Sequence, residues 1–137
     1  MNATAKITVG TKHREQIVVT REMTVAHFHE EMPEVFGTPI MIYHMEVTAS
    51  STIEPFLPDG WVTVGVVVNI KHLAATPVGA TVSLTAEVIA VDDQTITFKV
   101  EAHDGVDKIG EGLHVRAPVE MSRFMKRVQQ KTERMKQ

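Results

Sequence analysis

The sequence predicts an α+β domain, in which an antiparallel sheet wraps around one long central helix and a further helix follows at the C-terminus. Three observations carry this expectation. The stretch Thr38 to Leu57 has helical length and is apolar on several sides. Four segments rich in β-branched residues follow it in direct succession, joined by short turn signals. One further strand-like segment precedes it, so the order is strand, helix, four strands.

Each element has a local reason. "REQIVVTREMTV" carries Ile, Val and Thr and reads as the first strand. "HFHEEMPEVFG" contains the breakers Pro33 and Gly37 and reads as a loop. "TPIMIYHMEVTASSTIEPFL" opens well for a helix, with Thr38 as a hydroxyl N-cap and Pro39 at the first helical position. Ile40, Tyr43, His44 and Val47 recur at helical spacing, and the apolar surround predicts a buried helix. Pro55, Pro58 and Gly60 end it. "WVTVGVVVNIKHLA", "ATVSLTAEVIAVDD", "QTITFKVEAHDG" and "DKIGEGLHVRAPV" then read as strands. Asp92-Asp93 and "HDGVD" suit the turns between them. Val82, Leu84, Ala86, Val88 and Ala90 alternate, as one covered face of an antiparallel strand requires. The polar, basic tail "EMSRFMKRVQQKTERMKQ" has helical propensity.

This order is the hotdog arrangement, and the 137 residues suit a single domain over 1–137. An open sheet in so small a domain leaves an unpaired edge, and a homodimer with the sheets joined edge to edge is the expected remedy. A net charge of −3 argues against nucleic acid as the main partner. The absence of cysteine excludes disulfides and thiolate chemistry. No apolar run approaches the roughly 20 residues that span a bilayer, and no signal-peptide pattern opens the chain. A cytoplasmic protein without membrane partners is expected.

Three stretches, "MPEVFGTPIMIYHMEVTA", "VGVVVNIKHLAATPVGATVSLTAEV" and "EAHDGVDKIGEGLHVRA", resemble the fluoroacetyl-CoA thioesterase family of hotdog proteins. "KHLAATPVG" and "AHDGVDKIGEG" are the most specific pieces. The resemblance covers nearly the whole chain. It implies hydrolysis of a small acyl-CoA thioester by a homodimer that uses neither metal nor other cofactor. It also implies residue roles. Thr38 matches the threonine at the start of the helix, Glu46 the helix glutamate and His72 the histidine ending the next strand; these three are the expected catalytic residues. Gly65 matches the strand glycine whose N–H faces the thioester carbonyl. Met32 and Phe36 fall where the family lines its acyl pocket. Two positions depart from the pattern: Met32 replaces a gating phenylalanine, and Pro39 replaces a glycine. Selectivity for a fluorinated acyl group is therefore expected to be weak.

The residues also have bland readings. Glu46 within "YHMEVTA" is either a buried carboxylate, which is costly unless paired, or the solvent side of an amphipathic helix. His72 is a strand cap or an acid–base group, one histidine among seven. "HFHEE" resembles a metal site in composition only. Gly65 inside a β-branched run marks a bulge or a close backbone approach. On a regular strand, Val64, Val66, Val68, Ile70 and His72 share a face and Gly65 does not. Thr38 and Glu46, eight residues apart, lie about 12 Å apart along a regular helix. Either the helix starts later or two subunits combine them. Arg123, Lys126 and Arg127 in the tail are either a solvated helix face or a contact for CoA phosphates. The expected activity is hydrolysis of a short-chain acyl-CoA to free acid and CoA. The alternatives are a non-catalytic acyl-CoA-binding protein and an acyl-CoA dehydratase or hydratase.

Overall fold

The computed structural model describes residues 2–137. In chain order it contains β1 (Lys12–Val18), a 3-10 turn (Arg21–Met23), α1 (Val25–Phe28), α2 (Thr38–Ile53), a second 3-10 turn (Glu54–Phe56), β2 (Trp61–His72), β3 (Thr81–Val91), β4 (Ile96–His103), β5 (Lys108–Glu120) and α3 (Met121–Met135). The strands form one antiparallel sheet in the order β1-β3-β4-β5-β2. The central helix α2 packs against strands all across that sheet, in the hotdog arrangement.

Four-residue spacing puts Met41, Met45, Ala49 and Ile53 of α2 on one buried face. They meet Val82, Leu84, Ala86 and Val88 of β3, Ile96, Phe98, Val100 and Ala102 of β4, and Ile109 of β5. The expected alternation of β3 holds up to Val88. Ala90 is exposed instead of buried, because a bulge between Val88 and Ala90 shifts the register and turns it outward.

Three further expectations change. The first strand stops at Val18; Val19 still bonds the Ala80 carbonyl, and the chain then turns as Met23 N–H reaches the Thr20 carbonyl. The segment read as a loop begins with the short helix α1, and its end is tied down by the bridges Thr24–Phe36 and Val35–Pro77. The N-cap of α2 is Gly37, not Thr38, and Pro39 sits at the second helical position. Thr38 is thereby freed from capping. Nor is α2 buried all round, since Tyr43 is 59% exposed and Pro39 also faces outward.

A second bulge, in β2, sets which side chains meet α2. The register of β2 on β5 jumps between Gly65 and Val67, so Val66 is one residue too many. Beyond it the facing of side chains reverses. Gly65 and His72, which a regular strand would turn to opposite sides, both face α2. β5 comes close to β2 at Gly112, where an added Cβ would run into the Asn69 carbonyl oxygen and stand 2.8 Å from Ile70 Cα. Both are backbone atoms and cannot give way. Gly112→Ala should lower the unfolding free energy by about 3 kcal/mol, read as a fall in the urea midpoint. An unchanged midpoint would show that the two strands can part there without cost.

Candidate functional site

Two clusters of polar groups lie along the α2–β2 seam. The first stands at the start of α2. With Gly37 taking the cap, the Thr38 hydroxyl points to the last residue of β2, and Thr38 Oγ1 and His72 Nδ1 share a hydrogen bond of 2.6 Å. They line a cleft of about 420 Å³ with Val25, Val35, Phe36, Leu73, Ala74 and Ala75. Burial holds the His72 pKa below the ordinary imidazole value, with the Ala74 backbone opposing. The ring is therefore neutral near pH 7. Its Nε2 is buried, and among the described residues it has no hydrogen-bond partner. A buried, unpartnered ring nitrogen at a cleft is poised for a group the cleft receives.

The second cluster surrounds Gly65. A Cβ there would stand 2.9 Å from Glu46 Oε2 and 3.2 Å from His114 Cε1. The opening in the β-branched run is thus a close approach as well as a bulge: only a glycine lets the Glu46 carboxylate rest on the strand backbone. Arg116 Nη1 stands 3.8 Å from Glu46 Oε2. The guanidinium is buried at 7% exposure, donating from Nε to Thr63 Oγ1 and from Nη2 to the Thr63 carbonyl, both at 2.8 Å. It also lies 3.2 Å from His114 Nε2. His114 is 1% exposed, stacks on Phe98, and donates from Nδ1 to the Val67 carbonyl at 2.8 Å. That bond fixes its neutral tautomer, leaving Nε2 to accept from Arg116. Burial, chiefly, lowers the His114 pKa.

Sequence reasoning missed both Arg116 and His114. Their signal was available: two polar residues at alternate positions of a strand, on the face toward the core. Their joint effect is to tie the bulge of β2 to the carboxylate above it. Glu46, expected to be buried, is 37% exposed at its side chain in the single chain. It borders an open cleft of about 370 Å³ with Tyr43, Val47, Ser50, Ser51, Glu54 and Arg116.

The two clusters do not meet within one chain. Thr38 and Glu46 are two turns apart on a regular α2, and the chain between Gly65 and His72 spans about 20 Å. Of the two residues expected in an acyl pocket, Phe36 lines the Thr38–His72 cleft, whereas Met32 is 46% exposed and lies outside that lining. A larger cleft, about 630 Å³, opens on the outer face of β1, β3 and β4. Lys108 there is paired with Glu101 and Glu111, and Arg14 bonds Ser83.

His72 and His114 also set a pH dependence. Each has a folded pKa depressed by burial, so the unfolded chain takes up protons first as pH falls. Stability should be constant above about pH 6.5, the unfolded imidazole value, and decline as pH drops through and below it. Urea midpoints measured between pH 8 and 5 test this; a midpoint that rises on acidification would refute it.

Known proteins are similar to this chain in sequence and fold. Residues 19–122 match the family described as fluoroacetyl-CoA-specific thioesterase. A fluoroacetyl-CoA thioesterase of Streptantibioticus cattleyicolor is 38% identical over 130 residues, covering 90% of this chain and 94% of its own. The structure of a fluoroacetyl-CoA thioesterase variant in complex with acetyl-CoA superposes with a TM-score of 0.85 at 37% identity, over 92% of this chain and 99% of that one. A hypothetical protein of Thermus thermophilus, described as a thioesterase superfamily member, superposes at 0.90 with 29% identity, over 96% and 98%.

Proposed function

Because this chain belongs to the fluoroacetyl-CoA-specific thioesterase family and is a thioester hydrolase, we propose that its substrates are short-chain acyl-CoA thioesters. The observation that carries this is the pairing of Thr38 with His72 at a small apolar cleft, together with a carboxylate laid on a strand glycine. Water adds to the thioester carbonyl, giving up a proton to Glu46 as its oxygen bonds to carbon. The carbonyl oxygen, negatively charged at that moment, takes a hydrogen bond from the Gly65 N–H. The C–S bond then breaks and CoA leaves as thiolate. The proton held by Glu46 returns to the sulfur, with the neutral His72 imidazole as relay. Thr38, fixed by His72, orients the acyl group. Phe36 lines the pocket that receives it, and Met32 covers its entrance.

The active form is a homodimer. Of the two sheet edges, β1 carries Lys12, Arg14, Glu15 and Gln16, which discourage pairing, whereas β2 is long and offers Val66, Val67 and Val68, each close to half exposed. An antiparallel β2–β2 junction centred on Val67 sets Gly65 of one subunit opposite Asn69 of the other. The Gly65 cluster then stands about 10 Å from the second subunit's His72, half the distance within one chain. The uncovered face of α2, with Pro39, Tyr43 and Val47, lies beside the same axis.

Release of free CoA thiol from a panel of acyl-CoAs is the test. Acetyl-CoA, fluoroacetyl-CoA and other short chains should all be turned over. Methionine is flexible and makes no fixed gate, so kcat/KM should differ little between the two acetyl substrates. A preference for the fluorinated one above about 10³-fold, or some 4 kcal/mol of transition-state binding, would overturn the reading of position 32. No turnover of any short-chain acyl-CoA would overturn the substrate class.

A further inference from the structure

We propose that α3 of one subunit binds the phosphates of the CoA seated in the other subunit's site, through Arg123, Lys126 and Arg127. This rests on the acyl-CoA and dimer readings and adds the element that holds the nucleotide end. The Thr38–His72 cleft is lined by apolar residues, a hydroxyl and an imidazole, with no lysine or arginine among them. A ligand with several phosphates must find its counter-charges elsewhere.

α3 concentrates them. Arg123, Lys126, Arg127, Lys131 and Arg134 stand against the single acid Glu133, in a chain of net charge −3. Arg123, Arg127 and Arg134 fall at i, i+4 and i+11, one helical stripe that Lys126 and Lys131 flank. A second stripe is apolar: Met121, Met125, Val128 and Met135, all exposed, on a helix with no buried residue. Its own chain leaves that stripe uncovered, and an amphipathic helix needs a surface for its apolar side.

The two-fold axis supplies one. α3 starts where Met121 N–H donates to the Gly60 carbonyl at 2.8 Å, beside the Trp61 end of β2. Antiparallel pairing about Val67 carries that end to the His72 end of the other subunit. There Leu73, which lines the cleft, is exposed, and the segment between the lining residues Val25 and Val35 carries the exposed Phe28 and Met32. With its apolar stripe on these residues, α3 holds its basic stripe at the rim, and its 15 residues reach about 22 Å.

The test uses the full-length protein carrying Arg123→Ala, Lys126→Ala and Arg127→Ala together. CoA and pantetheine, which has no phosphate, are titrated calorimetrically into it and into the parent. CoA binding should weaken about tenfold or more, with pantetheine binding unchanged. In the parent, CoA affinity should fall with added salt and pantetheine affinity should not. This readout needs no turnover, so failure of the hydrolase assay would count against the substrate reading and not against the clamp. Equal CoA affinity in parent and variant would overturn the proposal, and so would a parent that is salt-insensitive should the variant fail to fold. Parent binding to anionic phosphatidylserine vesicles with CoA affinity unaltered in the variant would point to a lipid surface instead. Mixed dimers of a His72→Ala subunit with a triple-variant subunit should recover one site with parental KM for acetyl-CoA. Recovery of none would place the clamp within one subunit and overturn the cross-subunit assignment.

Discussion

Glu46→Gln should fold as the parent does and lose about 10²- to 10⁴-fold in kcat, the usual contribution of a general base. The expectation has two parts, each with a structural reason. Folding is spared because the side chain keeps 37% exposure and the amide has the same shape. Arg116, the group most exposed to the loss of a carboxylate, keeps its two bonds to Thr63 and its neighbour His114. Activity is lost because an amide at that place cannot take a proton from water. It still rests on Gly65, so binding should change little and the effect should lie in kcat. Circular dichroism and a thiol-release assay on the same preparation decide it. A well-folded Glu46→Gln protein with near-parental kcat would remove Glu46 from the chemistry and leave the Thr38–His72 pair to account for it.

Val67→Lys should have a comparable effect from outside the reacting groups. The Val67 side chain is exposed on the free edge of β2, while its carbonyl accepts from His114 through the backbone, which the substitution leaves in place. Two lysines at the centre of a two-fold junction repel and carry charge into an edge that must be covered. Light scattering should give about twice 15.2 kDa for the parent and a mass near 15.2 kDa for the variant. If each site takes Glu46 and Gly65 from one subunit and Thr38 and His72 from the other, the monomer retains all four residues and no complete site. Its kcat/KM should fall by about 10²-fold or more, in line with the cost of misplacing aligned groups. A monomer with full activity would show that one chain can bring its own two clusters together.

The parts of the fold that were legible in the sequence are those written in short-range patterns. Alternation in β3, the turn residues between strands and the apolar length of α2 depend only on neighbours along the chain. The pairing of elements into a site was legible only in its ingredients. Thr38 reads as an N-cap because hydroxyls at helix starts usually cap; that Gly37 takes the cap reflects the Gly37 N–H bond to Met23 and the Met41 N–H bond to the Gly37 carbonyl. Gly65 signalled a bulge or a close approach, but its effect on which side His72 faces was hidden, because the run Val66, Val67, Val68 gives no alternation to break. Arg116 and His114 went unseen because their partners, Glu46, Thr63 and Val67, come from two other elements. Glu46 was expected to be buried because α2 is apolar, yet an apolar helix face can await a second subunit as readily as its own core.

The extra residue in β2 means that the site is encoded partly by a count. Nothing chemical distinguishes Val66 from Val67 or Val68, and removing any one of the three would leave composition, charge and propensity almost unaltered. It would, however, remove the bulge: the glycine and the histidine would then be six residues apart, and a regular strand keeps both toward α2. What the extra residue adds is the local bend beside Gly65, where the Glu46 carboxylate rests. Point substitution leaves that bend in place, whereas a single-codon deletion removes it in a protein where every residue of the candidate site remains. Relatives one residue shorter in this run would therefore be expected to keep their histidine on the same side of the sheet, on a straighter strand beneath the carboxylate.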